Sequence, residues 1–307
     1  MLRDGAGVIF LNWGFLIFAG MGAQSIGSEL FDVKPGAQPV SRQILREKRN
    51  SGLDLEVGGD LAGLPAGSLR YIAREDLKAL PQVTYTVTDD PNFGGAVQVR
   101  GVELEVLARE FAGSREKALI VAVCGDLYRA HYPQSYVQAH RPVLVMEIDG
   151  EGPASWPKSK EGSGSFMGPY LISHPRFAPS FKVLGNEEEA QIPWGVVRLE
   201  FRNEEAIFGE IAPRAVHAGD AEAGYRIARQ NCLRCHGPAS YGRLKGQIAW
   251  SGIAFFADRS PQEFAAYVRN PRSVAQYAEM PGNPAYDDAT VEALIAYFRT
   301  FLVKGKS

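Results

Sequence analysis

The stretch Asn231–His236, with the sequence NCLRCH, decides how the C-terminal part of this chain folds. It contains the pattern C-x-x-C-H, in which two cysteines lie one helical turn apart and a histidine follows the second. This spacing allows the thiols of Cys232 and Cys235 to add to the two vinyl groups of one porphyrin, while the imidazole of His236 ligates the iron. A redox pair or a zinc site is the alternative, but zinc would usually need two further Cys or His ligands at similar spacing, and the sequence has none. The motif therefore predicts one covalently bound haem c.

The iron of such a haem has a second axial position. Downstream of His236, the sequence offers one methionine, Met280, and no histidine. A Met/His ligand pair raises the reduction potential relative to two nitrogen ligands, and it fills the coordination sphere, which suits outer-sphere electron transfer. We therefore predict His236 and Met280 as the two protein ligands of the iron. In the alternative, Met280 belongs only to the hydrophobic core, and the sixth position is open or holds water.

The segments around this motif predict a small, all-α domain at residues 217–307. The predicted helices are Ala221–Gln230 after an N-cap at Asp220, Pro261–Arg269 after an N-cap at Ser260, and a last helix that runs through Leu302 after an N-cap at Asp287 or Asp288. The run from GDAEAGYRIARQNCLRCHG to MPGNPAYDDATVEALIAYFRTFL resembles monohaem class I cytochrome c. The resemblance implies that the first and last helices cross at Gly224 and Tyr297.

Residues 1–23 predict export from the cytoplasm. The run from Gly5 to Ala23, GAGVIFLNWGFLIFAGMGA, has Asn12 as its only clearly polar side chain and ends in small residues suited to a cleavage site. An uncleaved membrane anchor is the alternative, because roughly 20 apolar residues span a bilayer. Both interpretations place the rest of the chain in the periplasm or another extracytoplasmic space, with membrane attachment only if the segment is retained. The prolines and the charged cluster within residues 24–50 indicate a linker.

Residues 51–212 differ in composition from the linker and from the all-α domain. Here short segments rich in β-branched and aromatic residues lie close to Gly, Pro or Asp. Val83–Val87, Ala118–Val123 and Pro142–Ile148 each predict a strand, and the apolar spacing within Val102–Phe111 predicts a short amphipathic helix. This mixture predicts an α+β domain ahead of the all-α one.

Five motifs in this region, taken in order, resemble the molybdopterin-binding domain of the sulfite oxidase family. They are LEVGGDLAGLPAGSLRYIAREDLKALPQVTYTVTDD, VRGVELEVLAREF, ALIVAVCGDLYRAHYPQ, RPVLVMEIDGE and MGPYLISHP. That family holds molybdenum through a cysteine between its DL..LP segment and the helix that follows, whereas the interval here, Thr84–Arg100, contains none. The remaining thiol, Cys124, follows the apolar run Ile120–Val123 and is predicted to be a buried structural residue. We therefore expect a domain of this outline that does not bind a molybdopterin cofactor.

Four basic residues in the same region have two possible roles. Arg129, His131, His140 and Arg141 could line an anion or pterin pocket, since guanidinium and imidazole groups suit such ligands. Scattered Arg and His in loops are more often solvated, and we favour that role for these four. The formal net charge of -2 gives no electrostatic reason to expect a nucleic-acid partner.

Together these features predict an exported two-domain protein that transfers electrons to or from a redox partner protein, with residues 51–212 as a docking or binding module. No residue is assigned a catalytic role. The first alternative is an enzyme, a haem-coupled molybdenum oxidoreductase of the sulfite dehydrogenase type, which the missing cysteine disfavours. The second is a structural subunit of a respiratory assembly.

Overall fold

The computed structural model describes residues 44–114, 117–159, 165–175, 190–214 and 218–302, which belong to one compact unit, Pro39–Ser307. The predicted export segment, residues 1–23, and most of the predicted linker lie outside the described residues. Near the end of that linker, the backbone of Arg46 exchanges hydrogen bonds of 2.9 and 2.8 Å with that of Tyr71. Within the described ranges, no helix is both long enough and apolar enough to cross a membrane.

Nine strands in the described part of the chain form one mixed sheet. They are β1 (Leu55–Gly59), β2 (Ser68–Ile72), β3 (Val83–Val87), β4 (Val97–Glu103), β5 (Ala118–Cys124), β6 (Arg129–Pro133), β7 (Val143–Ile148), β8 (Tyr170–Ser173) and β9 (Trp194–Asn203). The main order is β2-β1-β9-β8-β7-β4-β3, and β5 pairs with both β9 and β6. Strands β1 and β9 run parallel, whereas the other pairs are antiparallel.

Helices lie between and after these strands. In the sheet region they are α1 (Arg74–Lys78), α2 (Leu104–Phe111), α3 (Gln134–His140) and α4 (Glu204–Phe208), and in the C-terminal region they are α5 (Ala218–Gln230), α6 (Trp250–Arg259), α7 (Pro261–Arg269), α8 (Pro271–Val274) and α9 (Asp288–Arg299). A sheet-rich region is thus followed by a helical one, which confirms the predicted α+β class. The sulfite-oxidase-like topology stays a prediction.

Predicted and observed element bounds agree in the most strongly patterned segments. Strand β3 and helix α7 have the predicted bounds, and β5 is one residue longer than predicted. The predicted start of α2 was wrong: Val102 is the partner of Leu144 in the β4–β7 ladder, and the helix begins at Leu104. The ladder overrides the apolar spacing because the backbone of Val102 is already paired with a neighbouring strand.

Two bounds in the helical region also differ from the prediction. Helix α5 begins at Ala218, so Asp220 lies inside the helix and is not its N-cap. The start of helix α9, by contrast, agrees with the prediction. The helix follows Asp287, whose carboxylate accepts a 2.8 Å hydrogen bond from the backbone N–H of Thr290, as an N-cap should. The same helix ends at Arg299, before the predicted Leu302.

Strand β5 is covered on both faces, which explains its continuous apolar sequence. Its side chains alternate between two cores: Ile120, Ala122 and Cys124 lie in the core of the sheet region, and Leu119, Val121 and Val123 lie in the core of the helical region. Full burial of a valine or leucine side chain is worth roughly 1.5–3 kcal/mol. One strand therefore carries much of the apolar contact between the two regions.

The crossing of α5 and α9 organises the helical region. A Cβ atom at Gly224 would lie 2.0 Å from the carbonyl oxygen of Ala293 and 2.7 Å from Cβ of Tyr297, so a side chain has no space there. The structure thus shows the contact that the cytochrome c resemblance implies. Because α5 ends at Gln230, this crossing also fixes where the Cys-x-x-Cys-His motif begins.

Candidate functional site

The motif that follows α5 folds into a tight turn. Residues Cys232–Arg234 form one turn of 3-10 helix, and the backbone N–H of His236 donates a 2.8 Å hydrogen bond to the carbonyl oxygen of Cys232. Cys232 and Cys235 are both half-buried free thiols. The turn places the two thiols about one helical turn apart, with the imidazole directly after the second, as covalent attachment to one porphyrin requires.

Both thiols are kept in their protonated form. Burial raises the pKa of Cys232 to about 12 and also raises the pKa of Cys235. A redox-active C-x-x-C pair usually has the opposite property, a lowered pKa that supplies a thiolate nucleophile. The environment of this motif therefore does not resemble that of a dithiol redox centre.

The ring of His236 is oriented by its own nitrogen and by a glycine. Nδ1 donates a 2.8 Å hydrogen bond to the carbonyl oxygen of Ile248, which requires a proton on Nδ1 and leaves the lone pair of Nε2 for a metal. The backbone at Gly246 lies so close that a Cβ there would be 2.4 Å from both Cε1 and Nδ1. Burial lowers the pKa of His236, which favours the neutral, ligating form.

The structure brings Met280 to the same apolar cluster as the motif. Its half-buried side chain packs against the core of the helical region, which Cys232 also borders. The loop that carries Met280 lies between α8 and α9 and is tied to the end of α7: the backbone N–H of Asn283 donates to the carbonyl oxygen of Val268 at 2.9 Å. Met280 and Cys232 thus border one apolar cluster, and a thioether, an imidazole protonated on Nδ1 and two thiols on one turn are the kinds of groups that hold a haem c.

The sulfite oxidase family binds molybdenum through a cysteine, so the position of the one thiol in the sheet region, Cys124, bears on that resemblance. The interval Thr84–Arg100 forms most of the β3–β4 hairpin. Cys124 ends β5 with 4% exposure, its side chain in the core of the sheet region, so the prediction of a buried cysteine is confirmed. Burial raises the pKa of this thiol, which keeps it protonated.

Two residues near the motif, Arg129 and His131, do not lie where their sequence pattern predicts. Arg129 and His131 were expected to be solvated, and that expectation was wrong, because both are 6% exposed. They alternate along β6 with Ala130 and Tyr132, which lie in the core of the sheet region, so their own face of β6 meets the helical region. The R-A-H-Y alternation was a usable signal, but it could not show what covers the polar face. Of the other two basic residues, Arg141 is exposed as expected.

Comparison with known proteins identifies the helical region. Residues 219–298 match the family model described as cytochrome c oxidase, cbb3-type, subunit III. This region is therefore a c-type cytochrome domain, a haem-binding module for electron transfer. The family comparison gives no support to the sulfite-oxidase resemblance of residues 51–212. Among curated proteins, none matches the chain.

Proposed function

We propose that this protein is an exported electron-transfer cytochrome whose single haem c is attached through Cys232 and Cys235 and ligated by His236 and Met280. The observation that carries the proposal is the hydrogen bond from Nδ1 of His236 to Ile248, which leaves the lone pair of Nε2 available to ligate a metal. The match of residues 219–298 to a cytochrome family supports it independently. Residues 1–23 act as the export signal or anchor in this proposal.

The side chains of the site have separate roles in holding a haem. When bound, the haem supplies a one-electron iron couple. Cys232 and Cys235 would hold this group covalently, His236 and Met280 would ligate its iron, and the apolar cluster that Met280 borders would form part of its surroundings. An iron with two protein ligands would leave no position for a substrate, so this set of residues suits electron transfer between proteins.

Replacement of the distal ligand tests the proposal. Met280→Ala should abolish the weak sulfur-to-iron absorption near the red end of the visible spectrum, because the thioether is the source of that band. Met146→Leu is the matched control, since Met146 is 1% exposed in the core of the sheet region and should leave the band intact. A band unchanged in Met280→Ala would show that this methionine is not a ligand.

The sheet region, in our proposal, is a docking or binding module without molybdenum. The burial of Cys124 in the apolar core supports this, because that thiol is not offered to a cofactor. Metal analysis of protein purified from its native host should find iron and no molybdenum. Molybdenum near one atom per chain would instead establish the alternative enzyme, a haem-coupled molybdenum oxidoreductase.

The partner is proposed to be a redox protein of a respiratory assembly. The family matched by residues 219–298 is described as an oxidase subunit, which supports a partner of this kind. Affinity purification of the full chain from membranes and periplasm of its host should recover such an assembly. Recovery of an unrelated soluble dehydrogenase as the sole stoichiometric partner would contradict the proposal.

A further inference from the structure

The side chains of Arg129 and His131 lie on the face of β6 that the helical region covers. Their neighbours Ala130 and Tyr132 point to the opposite side, into the core of the sheet region. Burial of polar groups is costly unless they find hydrogen-bond partners. The partners that Arg129 and His131 find belong to the cytochrome domain.

The side chains of Arg129 and His131 both contact Tyr241. Arg129 donates to the backbone carbonyl oxygens of Tyr241 and Arg243, at 3.0 and 3.1 Å, and its guanidinium carbon lies 4.5 Å from the centroid of the Tyr241 ring. Nε2 of His131 lies 2.6 Å from the hydroxyl oxygen of Tyr241. Burial and the charge of Arg129 lower the pKa of His131 to about 3, and burial raises the pKa of Tyr241, so the contact joins two neutral groups.

Tyr241 belongs to the loop of residues 237–250, here called the proximal loop. The ends of this loop are joined by a 3.1 Å hydrogen bond from the backbone N–H of Trp250 to the carbonyl oxygen of Gly237. Within it, the backbone N–H of Gly246 donates to the carbonyl oxygen of Cys235 at 2.7 Å. The proximal loop is thus closed on itself and fastened to the haem-attachment motif.

The same loop carries the groups that orient His236. Gly246 lies against the imidazole ring, and Ile248 accepts the hydrogen bond from Nδ1. Lys245, beside Gly246, pairs with Asp126 in the turn between β5 and β6 at 2.5 Å. The sheet region therefore holds the proximal loop on one side, while the loop sets the position of His236 on the other.

We infer that Arg129 and His131 are positioning residues that act through Tyr241 to hold the proximal loop, and with it the hydrogen bond from His236 to Ile248. The inference rests on the proposed role of His236 as an iron ligand. A hydrogen bond at the second nitrogen of a ligating imidazole raises the basicity of that ligand, and a more basic ligand favours the oxidised iron. Loss of the contacts to Tyr241 weakens this hydrogen bond and raises the reduction potential.

The test compares Arg129→Met, His131→Leu and His131→Gln in the full-length holoprotein, with Arg141→Met as the control. Arg141 is exposed and pairs with Glu103, outside the cytochrome domain. The measurements are the reduction potential and the hyperfine-shifted proton resonances of the His236 ring. Arg129→Met and His131→Leu should raise the potential and move these resonances. His131→Gln, whose amide can replace Nε2, should stay close to the wild-type values, as should Arg141→Met.

Wild-type potentials and resonances in folded, haem-loaded Arg129→Met and His131→Leu would overturn the inference, even if both variants melted at lower temperature. If either variant fails to fold, Tyr241→Phe takes its place in the test, because it removes only one oxygen atom. This variant should raise the reduction potential by a smaller amount. An unchanged potential in that variant also counts against the inference. Failure of the proposed function looks different, because the wild-type protein itself would then lack the shifted resonances of an axial imidazole.

Discussion

The crossing of α5 and α9 offers a direct test of how the cytochrome domain is packed. In Gly224→Ala, the added methyl group would lie 2.0 Å from the carbonyl oxygen of Ala293, 2.6 Å from its carbonyl carbon and 2.7 Å from Cβ of Tyr297. Two of these three atoms belong to the backbone of α9, so no side-chain rotation can relieve the contact. The helices must move apart by roughly 1.5 Å to restore ordinary van der Waals separation.

The free energy of unfolding should fall in this variant, although alanine in place of glycine stabilises the helix itself. Alanine is a better helix former than glycine by roughly 1 kcal/mol, whereas overpacking of a tight interface costs roughly 1–3 kcal/mol, and more where backbone must move. The backbone contact places this site at the upper end of that range, so we expect a net loss of roughly 1–2 kcal/mol. For a chain of 307 residues, that corresponds to a decrease of about 1.5–3 °C in the melting temperature.

Thermal unfolding of the holoprotein, followed by far-ultraviolet circular dichroism, measures the effect. Gly209→Ala is the matched control, because Gly209 has helical backbone angles of φ -62° and ψ -32° and a Cβ there meets nothing within 4 Å. The control should melt at or slightly above the wild-type temperature. If Gly224→Ala melted there too, α5 and α9 would not be in backbone contact and the packing argument would fail.

Two further predictions concern the histidines. The buried His131 and His174 have their pKa values lowered to about 3, mainly by burial, so the unfolded chain binds protons near pH 6.5 that the folded protein does not. The free energy of unfolding should therefore decrease as the pH falls below about 6.5, by up to ~1.4 kcal/mol per pH unit for each histidine. Urea unfolding between pH 7 and pH 5 measures this slope, and His174→Gln should make it shallower; equal slopes would contradict the assignment. Gly246→Ala should displace the His236 ring, because the new Cβ would lie 2.4 Å from it. Its visible spectrum should change, whereas Gly125→Ala, with 3.9 Å to its nearest atom, should leave the spectrum as it is.

Local patterns predicted those features that local chemistry fixes. The bounds of α7 and the N-cap of the last helix, predicted at Asp287 or Asp288 and found at Asp287, follow from interactions among residues close in sequence. Prediction was wrong where a distant partner intervened. Val102 is in a strand because it pairs with Leu144, although its spacing suits a helix.

The sequence by itself determined that the chain carries a haem-attachment motif, because two thiols and an imidazole within five residues are brought together by one turn whatever surrounds them. It also indicated Met280, since this is the one methionine after the motif and no cysteine or histidine follows. Only the tertiary structure decided which groups orient His236 and which hold those groups in turn. Arg129 lies more than a hundred residues before Tyr241, and the sheet face that carries it becomes buried only when the helical region packs against β5 and β6. Burial of that face makes hydrogen-bond partners obligatory, and no local pattern in the sequence records which partners the fold will supply.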